Sequence, residues 1–163
     1  MKRIAYLCFF ISLLYPTISR GADEAVFLNA FGETATAYLN DSFLLMGTTA
    51  DGFVAEIIPK ATALEIVKNV QKRVRIIRAK FKAVSACRIS NTDKQLIELL
   101  DEAYGCLDQQ ALALIQYIQD KTPDNARRFE AQRTECLDHI KKVADFYSTL
   151  PPSPEVPEPL STR

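Results

Sequence analysis

His139 is the chain's one histidine, and that single imidazole limits the chemistry open to it. One histidine cannot build a multi-histidine metal site, and a serine or cysteine nucleophile would have this residue alone as its imidazole base. Carboxylates pair at Asp101/Glu102 and Glu135/Asp138. A di-iron bundle needs several inward glutamates and Glu-x-x-His pairs, whereas Glu135-x-x-Asp138-His139 has that composition without that spacing. These acids read as solvated helix faces. Neither Cys-x-x-Cys nor Cys-x-x-Cys-His occurs, and no Gly-x-Ser-x-Gly, Walker-type loop or dinucleotide fingerprint is present. A noncovalent haem between Met46 and His139 would need the two residues level in a bundle, and a first helix closing at Met46 sets them apart. The sequence thus points away from catalysis and supplies no catalytic residue, metal ligand or cofactor site.

Charge is more informative. The whole chain balances, with 20 Lys+Arg against 20 Asp+Glu, but the segment from Lys60 to Arg88 holds nine basic residues against one acid, Glu65. Lys68, Lys72, Arg75 and Lys82 fall on the outer side of the apolar pattern there and point away from any intramolecular partner. They form the candidate contact surface for an anionic partner: phospholipid headgroups, an acidic protein or a polyanion. Arg73, Arg78 and Lys80 flank the core, where basic residues can meet acids of a neighbouring helix and fix the packing order. Nucleic acid is a poor partner for this stripe, because no aromatic residues are interleaved with it. Arg133 interrupts an apolar stripe and needs an anion, either Asp101 or Glu102 or a bound ligand. The alternative function is therefore a small-molecule or cofactor carrier using the interior near Arg133 and His139.

These residues must be positioned by helices. The length of 163 residues suits one domain, and 48% hydrophobic with 25% charged is a globular composition. Five glycines are too few for a turn-rich all-β fold. In residues 23–46, Phe27, Phe31, Tyr38 and Leu45 lie near one face, with Gly47 as a C-terminal stop and Asp51-Gly52 as a turn or helix start. Ala63, Val67, Val70, Val74, Ile77, Phe81 and Val84 then alternate steps of four and three, a coiled-coil-like seam. Val54, Ile57, Ala61 and Leu64 extend it upstream, so Pro59 is read as a kink in a long second helix.

Ser90-Asn91-Thr92-Asp93 supplies N-cap candidates for a third helix, whose stripe reads Leu96, Leu100, Ala103, Leu107, Ala111, Leu114 and Ile118. Thr122-Pro123 opens a fourth, burying Phe129, Cys136, Ile140, Val143 and Tyr147. Four helices of similar length with short connections predict an all-α, antiparallel four-helix bundle over residues 22–150.

The cysteines test that geometry. Residues level across the last hairpin have numbers adding to about 243, because both helices rise equally per residue. Cys106 and Cys136 meet this condition, and Gly105 would let the two backbones approach for a bridge. Cys87, level with about Thr92, is roughly 20 Å from Cys106 along the bundle and is predicted to be a free thiol. It, or the helix faces, would serve a homodimer.

Met1-Lys2-Arg3, an apolar run from Ile4 to Tyr15 and small residues before Gly21 have the form of a secretory signal peptide over residues 1–21, with a cut after Ser19 or Gly21. The run is shorter than a membrane span. The chain is accordingly expected in the periplasm or secreted, with no transmembrane segment in the mature part. Residues 151–163, rich in proline, are expected to form an extended tail, a spacer or a ligand for a proline-recognising groove.

Overall fold

A computed structural model describes residues 19–149, with side chains from Ala30 onward. The segments assigned to residues 1–18 of the signal peptide and to the proline-rich tail lie outside the described residues. Among these, the chain forms four helices and no strand: α1 (Ser19–Val54), α2 (Lys60–Ser85), α3 (Asn91–Gln119) and α4 (Pro123–Thr149). They pack as an all-α bundle, and no helix among the described residues is long and apolar enough to cross a membrane.

The antiparallel course of successive helices is fixed by their cross-links. On α2 and α3, Lys60 meets Gln119 and Arg78 meets Asp101. On α3 and α4, Gln116 meets Arg128, Cys106 meets Cys136 and Glu102 approaches His139. The numbers in each of these last three pairs add to within two of the expected 243. The bundle is not square. α3 packs against all three other helices, whereas α2 and α4 do not touch. Accordingly α3 is buried around most of its circumference, adding Ile97, Tyr104, Gln110 and Ala113 to its expected stripe. The α2 seam is buried at Ala63, Val67, Val70, Val74 and Phe81. On α4 only Phe129, Cys136 and Val143 are fully buried, one heptad apart.

Helix starts follow the capping chemistry. Ser90 caps α3, its Oγ accepting the Asp93 backbone N–H at 3.1 Å. Thr122 Oγ1 accepts the Asn125 N–H at 3.3 Å, with Pro123 in the first position of α4.

The α1–α2 junction corrects two expectations. α1 does not stop at Gly47, and Pro59 does not kink α2. Gly47 sits buried within α1 without a positive φ, so it is no C-terminal cap. α1 runs on through Asp51-Gly52 and closes in a Schellman motif: Ile57 N–H to Gly52 C=O at 2.9 Å and Glu56 N–H to Phe53 C=O at 3.2 Å. Glu56 takes the left-handed position, φ 60°, where glycine is usual. Pro59 then stands as the extended residue preceding α2. A proline cannot donate to a preceding turn, so separate helices avoid the broken bond that a kink would carry.

The buried face of α1 is also turned one residue from the expected one. Gly32, Ala35, Leu39, Ser42, Met46, Thr49 and Phe53 form the seam, in steps of three and four. Tyr38 is half-buried and Leu45 exposed. Small residues alternate with large ones along it, which brings α1 close to α3. Across that contact Tyr104 donates its O–H to the Ala35 carbonyl at 2.7 Å, a buried bond. Burial pushes the Tyr104 phenol well above its ordinary value, with a smaller electrostatic contribution from Tyr38.

Candidate functional site

The face between α2 and α3 is a ladder of opposite charges. Asp108 of α3 accepts from Gln71 Nε2 at 2.9 Å and from Arg75 Nε at 2.8 Å. One heptad earlier on the same side of α3, Asp101 takes Arg78 in a two-point grip, Nε–Oδ1 2.9 Å and Nη2–Oδ2 3.2 Å. That hydrogen bond raises the Arg78 guanidinium above its ordinary value, against the smaller opposing effect of burial. Gly105 lies directly beneath: a Cβ there would stand 3.1 Å from Arg78 Cζ and Nη2. The expected role of Gly105 is therefore corrected. It makes room for an α2 guanidinium and does not serve the cystine on the α4 side.

Arg75 also departs from expectation. The apolar pattern sets it among the outward cations without an intramolecular partner, yet it reaches the α3 flank and pairs with Asp108. A long side chain at the edge of an outer face can swing to a carboxylate on the neighbouring helix, and Asp108 is 14% exposed, a well-placed acceptor. Lys68, Lys72 and Lys82 remain on the solvent side. All three are exposed, and none enters an ion pair among the described residues. Lys82 stands between two shallow clefts, one of about 270 Å³ that it shares with Arg75, Arg78 and Asp108, the other of about 390 Å³ bordered by Glu98 and Glu102.

Arg133 and His139 do not converge. The Arg133 guanidinium lies over α1, where a Cβ on Gly47 would be 3.1 Å from its Nη2. Its nearest acid is Glu130 of its own helix at 3.8 Å, not Asp101 or Glu102 as expected. Asp101 is occupied by Arg78, and Glu102 faces His139, with 3.7 Å between Oε2 and Nδ1. Arg133 thus faces α1 and His139 faces α3. Among the described residues no group of three or more His, Cys, Asp or Glu side chains is placed to hold a metal ion.

Cys106 and Cys136 form a disulfide across α3 and α4 with Cα atoms 5.3 Å apart, and Cys87 is an exposed free thiol just beyond the end of α2. Sequence reasoning missed Asp101 and Asp108 as the partners of α2. Their seven-residue spacing places both on one side of α3, and that was the available signal. With this geometry in hand, comparison with known proteins adds no relative: no protein-family model, curated protein or solved structure matches the chain.

Proposed function

We propose that the protein is an exported, noncatalytic binding protein whose α2 engages an anionic macromolecular surface through Lys68, Lys72 and Lys82. The observation that carries this reading is the division among the cations of α2. Arg75 and Arg78 are tied to Asp108 and Asp101, whereas the three lysines, like Arg73 and Lys80 nearer α1, are exposed and enter no ion pair among the described residues. At 3.6 residues per turn those lysines fall within an arc of about 80°, and at 1.5 Å per residue they span about 21 Å. Glu65 is the one acid on the helix, so little on α2 itself offsets them. The signal-like segment and the Cys106–Cys136 bridge both suit an oxidising compartment outside the cytosol.

A lysine near an anionic surface contributes about 1 kcal/mol. Three together give about 3 kcal/mol, roughly a hundred-fold in affinity. The test compares binding of the purified protein to phosphatidylglycerol-containing vesicles and to polyglutamate, with phosphatidylcholine vesicles as the neutral control. One of the two anions should bind, with affinity falling as salt rises, and Lys68→Gln/Lys72→Gln/Lys82→Gln should lose about two orders of magnitude with unchanged helicity. Equal binding by both proteins, or binding to neither anion, would overturn the reading.

A further inference from the structure

On the flank of α2 away from α3, the chain leaves an open groove of about 230 Å³ against α1, lined by Asp41, Ser42, Leu45, Ile66, Asn69 and Arg73. Around it stand large apolar side chains turned to solvent: Leu44 is 61% exposed, Leu45 45% and Ile76 52%. Ser42 is 2% exposed, yet its hydroxyl has no hydrogen-bond partner. Asp41 and Arg73 both border the groove, and among the described residues neither enters an ion pair. An apolar strip edged by unpaired charges, with an orphaned hydroxyl in its floor, lacks an occupant.

The distribution of charge says which occupant. The groove pairs an acid on α1, Asp41, with a cation on α2, Arg73, and α1 and α2 run antiparallel about the Glu56–Ile57 corner. Residues level across them have numbers adding to about 113. Asp41 is therefore level with Lys72 and Arg73, Leu44 with Asn69, and the small Ala37 with Ile76. A two-fold axis along the groove, parallel to the helices, leaves every residue at its own level and exchanges the helices. α1 of one copy then lies over α2 of the other. Asp41 meets Lys72 and Arg73 of the second copy, and Ile76 enters the space above Ala37. An axis across the helices would instead set α1 on α1 and α2 on α2, acid against acid and cation against cation.

We propose that a second copy of this chain occupies the groove, in a two-fold dimer with α1 of each copy laid across α2 of the other. The 26 residues of α2 give a face about 39 Å long, and two helices are about 20 Å wide, so each copy buries roughly 800 Å², the size of a standard stable interface. Lys72 belongs to both surfaces and faces the second copy in the dimer, whereas Lys68 and Lys82 lie outside this contact and remain open, so a dimer meets an anionic surface through these two lysines of each copy. The dimer does not depend on their role in anion binding.

The experiment is sedimentation equilibrium and light scattering at micromolar concentration, in a Cys87→Ser background so that no Cys87 cross-link contributes and the Cys106–Cys136 bridge stays intact. The wild-type chain should have twice the chain mass. Ile76→Glu, and separately the single-charge chain Asp41→Lys and the double variant Lys72→Glu/Arg73→Glu, should be monomers with unchanged circular dichroism. Mixing the two charge variants should restore a dimer, because each repulsive pair becomes attractive in the mixed species. A wild-type monomer at 100-fold the micromolar range, a dimer that survives Ile76→Glu, or a charge-variant mixture that stays monomeric would each overturn the proposal.

Discussion

Reducing the Cys106–Cys136 bridge isolates what the cross-link does for the bundle. The two cysteines are 30 residues apart, and closing a loop of that length removes chain entropy from the unfolded state worth about 3–4 kcal/mol in the chain-entropy model. α4 should feel the loss most, since its fully buried residues are only Phe129, Cys136 and Val143. Reduction is a cleaner perturbation than replacement. It leaves both sulfur atoms in their buried positions, so no cavity forms and no hydroxyl is buried, as Cys136→Ser would require. With a urea slope of about 2 kcal/mol per M, the unfolding midpoint should fall by about 1.5–2 M. The assay is a urea titration followed by far-UV circular dichroism, with and without reductant, in a Cys87→Ser background so that one cystine is the sole redox variable. Amide exchange should accelerate more in α4 than in α3. A midpoint shift below about 0.3 M would refute the reasoning, because a 30-residue closure cannot be that weak unless the reduced chain stays closed by other means.

Two further outcomes follow from buried groups. Burial raises both Tyr104 and Tyr147 above the ordinary value of 10.0, so their stabilising contribution is complete below pH 10 and is lost as pH climbs above it. Thermal melts should therefore drop between about pH 10 and 12, and Tyr104→Phe should flatten that drop while lowering stability near neutrality by about 1 kcal/mol through loss of the Ala35 bond. Two glycines of α1 should respond to alanine with opposite signs. At Gly32 a Cβ would stand 2.6 Å from the Tyr147 hydroxyl and 2.9 Å from Leu96 Cδ2, and Gly32→Ala should cost about 1–3 kcal/mol. At Gly47 the neighbour is the end of the flexible Arg133 side chain, and the gain in helix propensity should leave Gly47→Ala up to about 1 kcal/mol more stable by denaturant titration.

Three of the four buried stripes are legible because large apolar residues recur in them without interruption. Leu96, Leu100, Ala103, Leu107, Ala111, Leu114 and Ile118 are all buried as the spacing requires. The α1 seam is hidden because Gly32, Ala35, Ser42 and Thr49 carry little hydropathy, and their role is to be small where α1 nears α3. The roles of Gly47 and Gly105 are hidden for a related reason. A glycine beneath a guanidinium and a glycine ending a helix look alike until the partner helix is placed. The cystine was readable from helix rise alone, since level is a one-dimensional property. The Arg75–Asp108 pair was not, because it depends on how far α3 is rotated about its own axis.

α3 touches every other helix while α2 and α4 share no contact, and this separates the bundle's mutational freedom into compartments. Substitutions on α2 and on α4 meet only through their shared neighbours α1 and α3, so the effects of changes on the solvent side of α2 and on α4 should add. The cationic face of α2 is then free to change sign, spacing or partner over evolutionary time without any compensating change in the cystine-bound α4. Changes within α3, by contrast, are felt on three sides at once. The chain keeps its proposed recognition surface on a helix that can vary and its architecture on one that cannot.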